Sequence, residues 1–118
     1  MRIDLYRLIH KAQRFHLFQL GAKLGHLEWS DELQRQPAAA EVLRLLSGLR
    51  EHAENEARFI HPLFGGAAVV AQLDDEHHAL EAQLAGVEAL VREARWSELY
   101  AGFMRFVGEY LLHLDAEE

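Results

Sequence analysis

Hydrophobic residues recur along this chain at spacings that alternate between three and four, which is typical of helices that bury one face in a bundle. We find no segment with the strict alternation of a β-strand. The clearest stripe lies in the middle of the chain and includes two polar positions. It runs through Val42, Leu45, Leu49, His52, Glu56, Phe59 and Leu63.

Three further stripes, and the residues between them, predict four helices in all. Residues 29–31 carry cap-type side chains after the first helix, a proline starts the second helix, and two glycines end it. The expected helices span residues 3 to about 28, 36–37 to 62–66, 67 to about 93, and from the N-cap Ser97 to the last residues. Short connections favour an all-α, antiparallel up-down-up-down four-helix bundle. We expect a single domain over residues 1–118, ending within or just after the fourth helix.

Each predicted helix has a histidine on its apolar stripe, and the second and fourth helices add a glutamate four residues later. In an antiparallel bundle these positions fall at the same end of the core. A buried imidazole and carboxylate cost several kcal/mol unless a partner satisfies them, and a metal ion would satisfy both. The residues are His10, His52, His77 and His113, together with Glu56 and Glu117.

The composition narrows the function classes. The chain has 118 residues and a formal charge of −7, which argues against nucleic acid or an anionic membrane surface as the main partner. It contains no cysteine, so disulfides, thiolate chemistry and cysteine-type zinc or iron–sulfur sites are excluded. We find no signal-peptide core and no transmembrane run, so the expected location is the cytoplasm.

The donor types narrow the choice of metal. Imidazole nitrogen and carboxylate oxygen without thiolate suit iron, manganese or zinc better than copper(I) or calcium. Two glutamates that reach in from different helices can each bridge two cations, which leaves the histidines as terminal ligands. The spacing of four supports this, because such residues are neighbours on one face of a helix.

The chain resembles the hemerythrin / HHE cation-binding family in several fragments that together span nearly its whole length. They are LIHK at 8–11, HAENE at 52–56, FIHP at 59–62, EH at 76–77 and HLDAE at 113–117. The resemblance implies a four-helix bundle with a non-haem di-iron centre, used for oxygen binding, oxygen or iron sensing, or metal storage. It implies that the four stripe histidines are terminal ligands and that Glu56 and Glu117 bridge.

The chain departs from the oxygen-carrying members at two ligand positions. Those members have a second histidine on the third helix, where this chain has Glu81, and a histidine and an aspartate five residues apart on the fourth helix. Here the fourth-helix pair is His113 and Glu117, four apart. A carboxylate at Glu81 would make the centre more anionic and would favour the oxidised metal over reversible oxygen binding. We include Glu81 among the expected ligands.

Three functions remain open. The preferred one is a metal-binding module with a pair of non-haem irons, with manganese or zinc as alternatives and dioxygen or peroxide as further partners. The second is an enzyme that uses the same centre on oxygen or peroxide, although we recognise no pocket for an organic substrate. The third is a metal-free helical interaction domain, and a homodimer is compatible with each. His61 is a candidate near the centre, Tyr6 and Tyr110 are expected core aromatics, and residues 74–76 are expected to form a solvated first helical turn.

Overall fold

Four α-helices make up most of the protein. The structure, a computed structural model, describes residues 5–56, 58 and 66–117, and within these the side chains of all residues except 5, 6, 69, 70, 73, 116 and 117. The helices are α1 (Leu5–His26), α2 (Glu32–Asn55), α3 (Ala67–Arg92) and α4 (Trp96–Glu117). No strand occurs among the described residues. The prediction of an all-α four-helix bundle is confirmed.

Helix α2 begins earlier than the sequence pattern predicted, so the expected start at 36–37 is wrong. Asp31 is the N-cap, and its side-chain oxygen accepts a hydrogen bond from the Leu33 amide at 2.9 Å. Pro37 lies inside the helix. It lacks the amide hydrogen that would pair with the carbonyl of Leu33. The Leu33 side chain is 86% exposed, so this turn faces water, which can pair with the carbonyl instead.

The connection between α3 and α4 is a tight helix stop. The Arg95 amide donates to the Leu90 carbonyl at 2.9 Å and the Ala94 amide donates to Val91 at 3.1 Å, which together form a Schellman motif. Ala94 adopts the left-handed conformation with φ 55°. The prediction that Ser97 caps α4 is wrong, because Arg95 accepts the first helical hydrogen bond, from Glu98, at 3.1 Å.

The predicted stripes form most of the core. The buried face of each helix is broader than a strict three–four stripe, so Leu46, Val107 and Leu114 are also buried. The stripe residues that the structure shows buried are Leu17, Leu20, Leu24, Val42, Leu49, Leu80, Leu84, Val87, Val91, Leu99, Phe103, Phe106 and Tyr110.

Contacts between α1 and α2 pair residues in opposite order. His10, early in α1, lies against His52, late in α2, with ring centroids 5.5 Å apart. Lys23, late in α1, donates to Glu41, early in α2, at 2.8 Å. This order is the one that antiparallel neighbours require, and it places the histidines of α1 and α2 at the same level.

Two tryptophans close the end of the bundle that lies away from the histidines. Trp29 and Trp96 stack with ring centroids 6.0 Å apart and planes 13° from parallel. The guanidinium of Arg35 lies 5.4 Å from the centroid of the Trp96 ring, in a cation–π contact. Arg35 also donates to the Trp29 carbonyl at 3.1 Å. The apolar core is therefore sealed at this end by side chains from α2, α4 and the α1–α2 connection.

Arg50 links α2 to α3 through two carboxylates. Its Nε donates to Glu81 at 2.8 Å and its Nη2 donates to Glu88 at 2.5 Å. The Arg50 and Glu88 side chains are 26% and 19% exposed, so water screens this pair only in part. The hydrogen bonds from Arg50 lower the pKa of Glu88 and raise the pKa of Arg50.

The left-handed Ala94 gives the first prediction. A Cβ atom is unfavourable at φ 55°, so Ala94→Gly should raise the free energy of unfolding by about 0.5–1 kcal/mol. The measurement is urea denaturation followed by circular dichroism. The control is Ala101→Gly at an exposed α4 position, which should lower the free energy of unfolding by about 0.5–1 kcal/mol. A loss of stability in both variants would contradict the prediction.

The Arg50–Glu88 pair gives a pH-dependent prediction. The pKa of Glu88 is lower in the folded protein than its ordinary value of 4.5, so the ionised pair stabilises the fold above that pH and the contribution is lost as pH falls through the folded pKa. Glu88→Gln should cost about 1 kcal/mol at pH 7, and the difference from wild type should shrink towards pH 3. Denaturation at several pH values tests this, with the exposed Glu109→Gln as control. A difference that does not change with pH would contradict the assignment.

Candidate metal centre

All four helices send a polar side chain into the core at one end of the bundle. His52 and Glu56 are four residues apart, so they lie one turn apart on the same helix face. The Glu56 backbone lies where α2 changes from α- to π-helical geometry, a change that often accompanies functional sites. The side chains that the structure brings together are His10 from α1, His52 and Glu56 from α2, His77 from α3 and His113 from α4.

The carboxylate of Glu56 lies at the centre of this cluster and is almost inaccessible, with 1% of the residue exposed. Its Oε1 atom contacts Nε2 of His52 and lies 3.8 Å from Nε2 of His10. Its Oε2 atom lies 3.9 Å from Nε2 of His77. The two carboxylate oxygens therefore face different histidines, and the carboxylate is buried among imidazoles.

These residues form two groups that share Glu56. One group is His10, His52 and Glu56, and the other is Glu56, His77 and His113. Within each group the donor atoms lie within 4.8 Å of one another. Tetrahedral ligands at about 2.1 Å from one ion are about 3.4 Å apart, so each group would hold a cation after its donor atoms shift by on the order of 1 Å. The donor set therefore fits a pair of cations bridged by one carboxylate.

Ring packing orients the histidines of the cluster. The His10 and His52 rings meet edge to face at 80°, and the His77 and His113 rings are 5.3 Å apart. His10 is fully buried, whereas the His52, His77 and His113 side chains are 14%, 10% and 11% exposed. The cluster is thus largely closed to water.

Tyr110 supports the cluster from α4. Its side chain is buried, and its hydroxyl donates to Oε1 of Gln13 on α1 at 2.7 Å. Its ring lies 6.1 Å from the ring of His113. The expectation that Tyr110 is a core aromatic agrees with this placement.

The structure does not bring Glu81 to the cluster. Its side chain is 51% exposed, and both of its carboxylate oxygens accept hydrogen bonds from Arg50 at 2.8 Å. The reason is its position directly after Leu80, which is buried, so residue 81 is rotated by about 100° towards α2 and solvent. This placement argues against the expected role of Glu81 as a ligand.

Other expected residues lie outside the part that the structure describes. The backbone of Glu117 belongs to α4, but its side chain is not among the described ones, so its role as a second bridge stays a prediction. The side chain of Tyr6 and the whole of His61 likewise lie outside the described residues.

Glu76 is a neighbour of the centre that the sequence analysis did not select. It lies well inside α3, which begins at Ala67, so the expected solvated first turn at residues 74–76 is wrong. Its Oε2 atom lies 3.6 Å from Nδ1 of His113. The signal was present, because Glu76 lies three residues after Leu73 and four before Leu80, which is the stripe spacing of α3.

The fold and the donor set define a four-helix metal-binding domain. The family model of the hemerythrin HHE cation-binding domain matches residues 1–118. The chain therefore belongs to the hemerythrin HHE cation-binding domain family, whose members bind metal cations. No curated protein matches it, and no solved structure does. Among the described residues, no helix combines the length and apolar character that crossing a membrane requires.

The placement of Glu81 gives a prediction about metal content. Because Arg50 holds Glu81 away from the cluster, Glu81→Gln should leave the metal content of the purified protein unchanged. The measurement is elemental analysis of wild type and variant purified side by side without a metal-affinity tag. Loss of metal in Glu81→Gln would show that this carboxylate turns inward when a cation binds.

Proposed function

We propose that this domain binds a pair of non-haem iron ions bridged by Glu56, and that it binds, senses or stores oxygen or iron through them. The observation that carries the proposal is the buried carboxylate that offers one oxygen to each of two histidine groups. Bound iron would supply the redox change and the open coordination positions that this chemistry needs.

Each residue of the cluster has a definite part in the proposal. His10 and His52 would hold one ion with Oε1 of Glu56, and His77 and His113 would hold the other with Oε2. Glu56 would offset part of the cation charge, and the cations would in turn satisfy its buried charge. Glu117, on the last turn of α4, is the proposed second bridge.

The choice of iron rests on the donor chemistry. The donors are nitrogen and oxygen, and the chain contains no cysteine, which favours iron, manganese or zinc. We place iron first because of the family resemblance and keep manganese and zinc as alternatives. A cation would satisfy the Glu56 carboxylate and the imidazole nitrogens that face it at the same time.

A groove favours a second candidate function, turnover of oxygen or peroxide. The groove lies between α3 and α4, has a volume of about 260 Å³, and is lined by His113 among other residues. Dioxygen and peroxide are small enough to enter it. Because His113 lines the groove, a small oxidant in the groove would approach the centre from the side of this residue.

The proposal is tested by the metal content of protein purified without a metal-affinity tag, followed by an absorption spectrum in air. We expect about two irons per chain, as the two donor groups imply, with near-ultraviolet bands of an oxygen-bridged ferric pair. Reversible change of the spectrum with oxygen would indicate binding, whereas steady consumption of peroxide would indicate turnover.

A matched pair of variants tests the bridge. Glu56→Gln keeps the size of the side chain but removes the charge that both donor groups share, so the protein should lose at least half of its iron. Glu54→Gln removes the same charge from an exposed position on α2 and should keep all of it. The proposal fails if wild type takes up no ferrous iron without oxygen, or if Glu56→Gln retains the full content.

A further inference from the structure

We infer that Glu76 is a positioning residue of the centre: its carboxylate accepts a hydrogen bond from Nδ1–H of His113 and thereby presents Nε2 of that ring to the cation. The contact that points to this role is the 3.6 Å separation between Oε2 of Glu76 and Nδ1 of His113. The assignment of Nε2 as the ligand atom rests on the proposed function, but the hold of Glu76 on the His113 ring does not.

The Glu76 carboxylate has one oxygen in the protein interior. Its Oε2 atom is buried and has no hydrogen-bond partner among the described residues, although the side chain as a whole is 36% exposed. A buried oxygen without a donor is costly, and Nδ1 of His113 is a nearby group that can supply a proton. The distance exceeds that of a hydrogen bond, so the proposed bond requires a small rotation of the ring towards Oε2.

The tautomer of His113 follows from this contact. A neutral imidazole carries its proton on one nitrogen and offers a lone pair on the other. A carboxylate beside Nδ1 stabilises the tautomer with the proton on Nδ1, which leaves Nε2 as the metal donor. Histidine ligands commonly donate their second nitrogen to a carboxylate in this way, and the partner fixes ring orientation and raises basicity.

The groove between α3 and α4 gives the Glu76 carboxylate a side that faces water. Glu76 and His113 both line it, with Gln83 and Glu109 further along. The outer part of the Glu76 carboxylate is therefore solvated from the groove while Oε2 faces inward. Glu76 approaches His113 from α3 to 3.6 Å, whereas Glu109 is exposed on α4, one turn before His113.

The first test reads the tautomer directly and needs no metal. Nitrogen-15 spectra of metal-free protein, recorded about two pH units above the ordinary histidine pKa, should show His113 with its proton on Nδ1. In Glu76→Ala this preference should be lost, and in Glu109→Ala it should remain. An Nε2-protonated His113 in wild type, or an unchanged tautomer in Glu76→Ala, would overturn the inference.

The second test uses cobalt(II) as the probe, titrated into metal-free protein. Glu76→Ala should weaken binding at one of the two sites by roughly 10- to 100-fold and shift the visible spectrum of that site. Glu76→Gln keeps an uncharged acceptor, so its loss should be smaller. Equal losses in Glu76→Ala and Glu109→Ala would overturn the positioning role, because they would indicate a general effect of charge.

These tests separate the two proposals. If wild type binds no cobalt or iron but shows the Nδ1 tautomer, the proposed function fails and the hold of Glu76 on His113 stands. If wild type binds a pair of ions and Glu76→Ala binds them with unchanged affinity, only the role of Glu76 fails. Should Glu76→Ala not fold, as circular dichroism would show, the near-isosteric Glu76→Gln is used in both measurements: it should weaken the Nδ1 preference and cobalt binding more than Glu109→Gln does, and equal effects would overturn the inference.

Discussion

The buried carboxylate of Glu56 is the constraint on which the rest of this structure depends. A carboxylate on a residue that is 1% exposed needs positive or hydrogen-bonding partners for both of its oxygens. Helix α2 alone cannot supply them, because its own His52, one turn before Glu56, contacts only one of the two carboxylate oxygens. The protein supplies them from all four helices, so the levels of His10, His77 and His113 must agree with the end of α2. The apolar stripes set those levels, since sliding a helix by one turn would separate the groups.

The bundle divides its length between two kinds of packing. One end is closed by stacked tryptophans and an arginine and gains stability from aromatic and apolar contacts. The other end contains imidazoles and a carboxylate in place of apolar side chains, and such groups contribute to stability only when they have hydrogen-bonding or charged partners. Cation binding at such a site would stabilise the folded state by mass action. The apolar end therefore has to hold the helices in place on its own in the absence of metal.

Carboxylates close to the centre have different tasks because each faces a different neighbour. Glu56 faces histidines, Glu76 reaches His113 from the groove between α3 and α4, and Glu81 is held by Arg50. Arg50 also binds Glu88, so one guanidinium joins α2 to α3 on the outside of the bundle. The electrostatic environment of the centre is thus set partly by residues that do not enter it. Although the chain is acidic, Glu56 is the one buried carboxylate among the described residues.

The periodic pattern by itself determined the helical class, most of the core, and the side chains from four helices that converge at one end. It did so because a helical stripe records which residues face inward, and a histidine on that stripe must face inward too. The predicted helix starts were wrong where two start signals lay close together. Helix α2 begins after the cap Asp31 and not at Pro37, and α4 begins after Arg95 and not after Ser97. Only the tertiary structure decided that Glu81 turns to Arg50 and that Glu76 approaches His113. Glu81 directly follows the buried Leu80, and Glu76 directly precedes His77. The partner of each glutamate lies on another helix, and spacing along a single helix cannot reveal that partner.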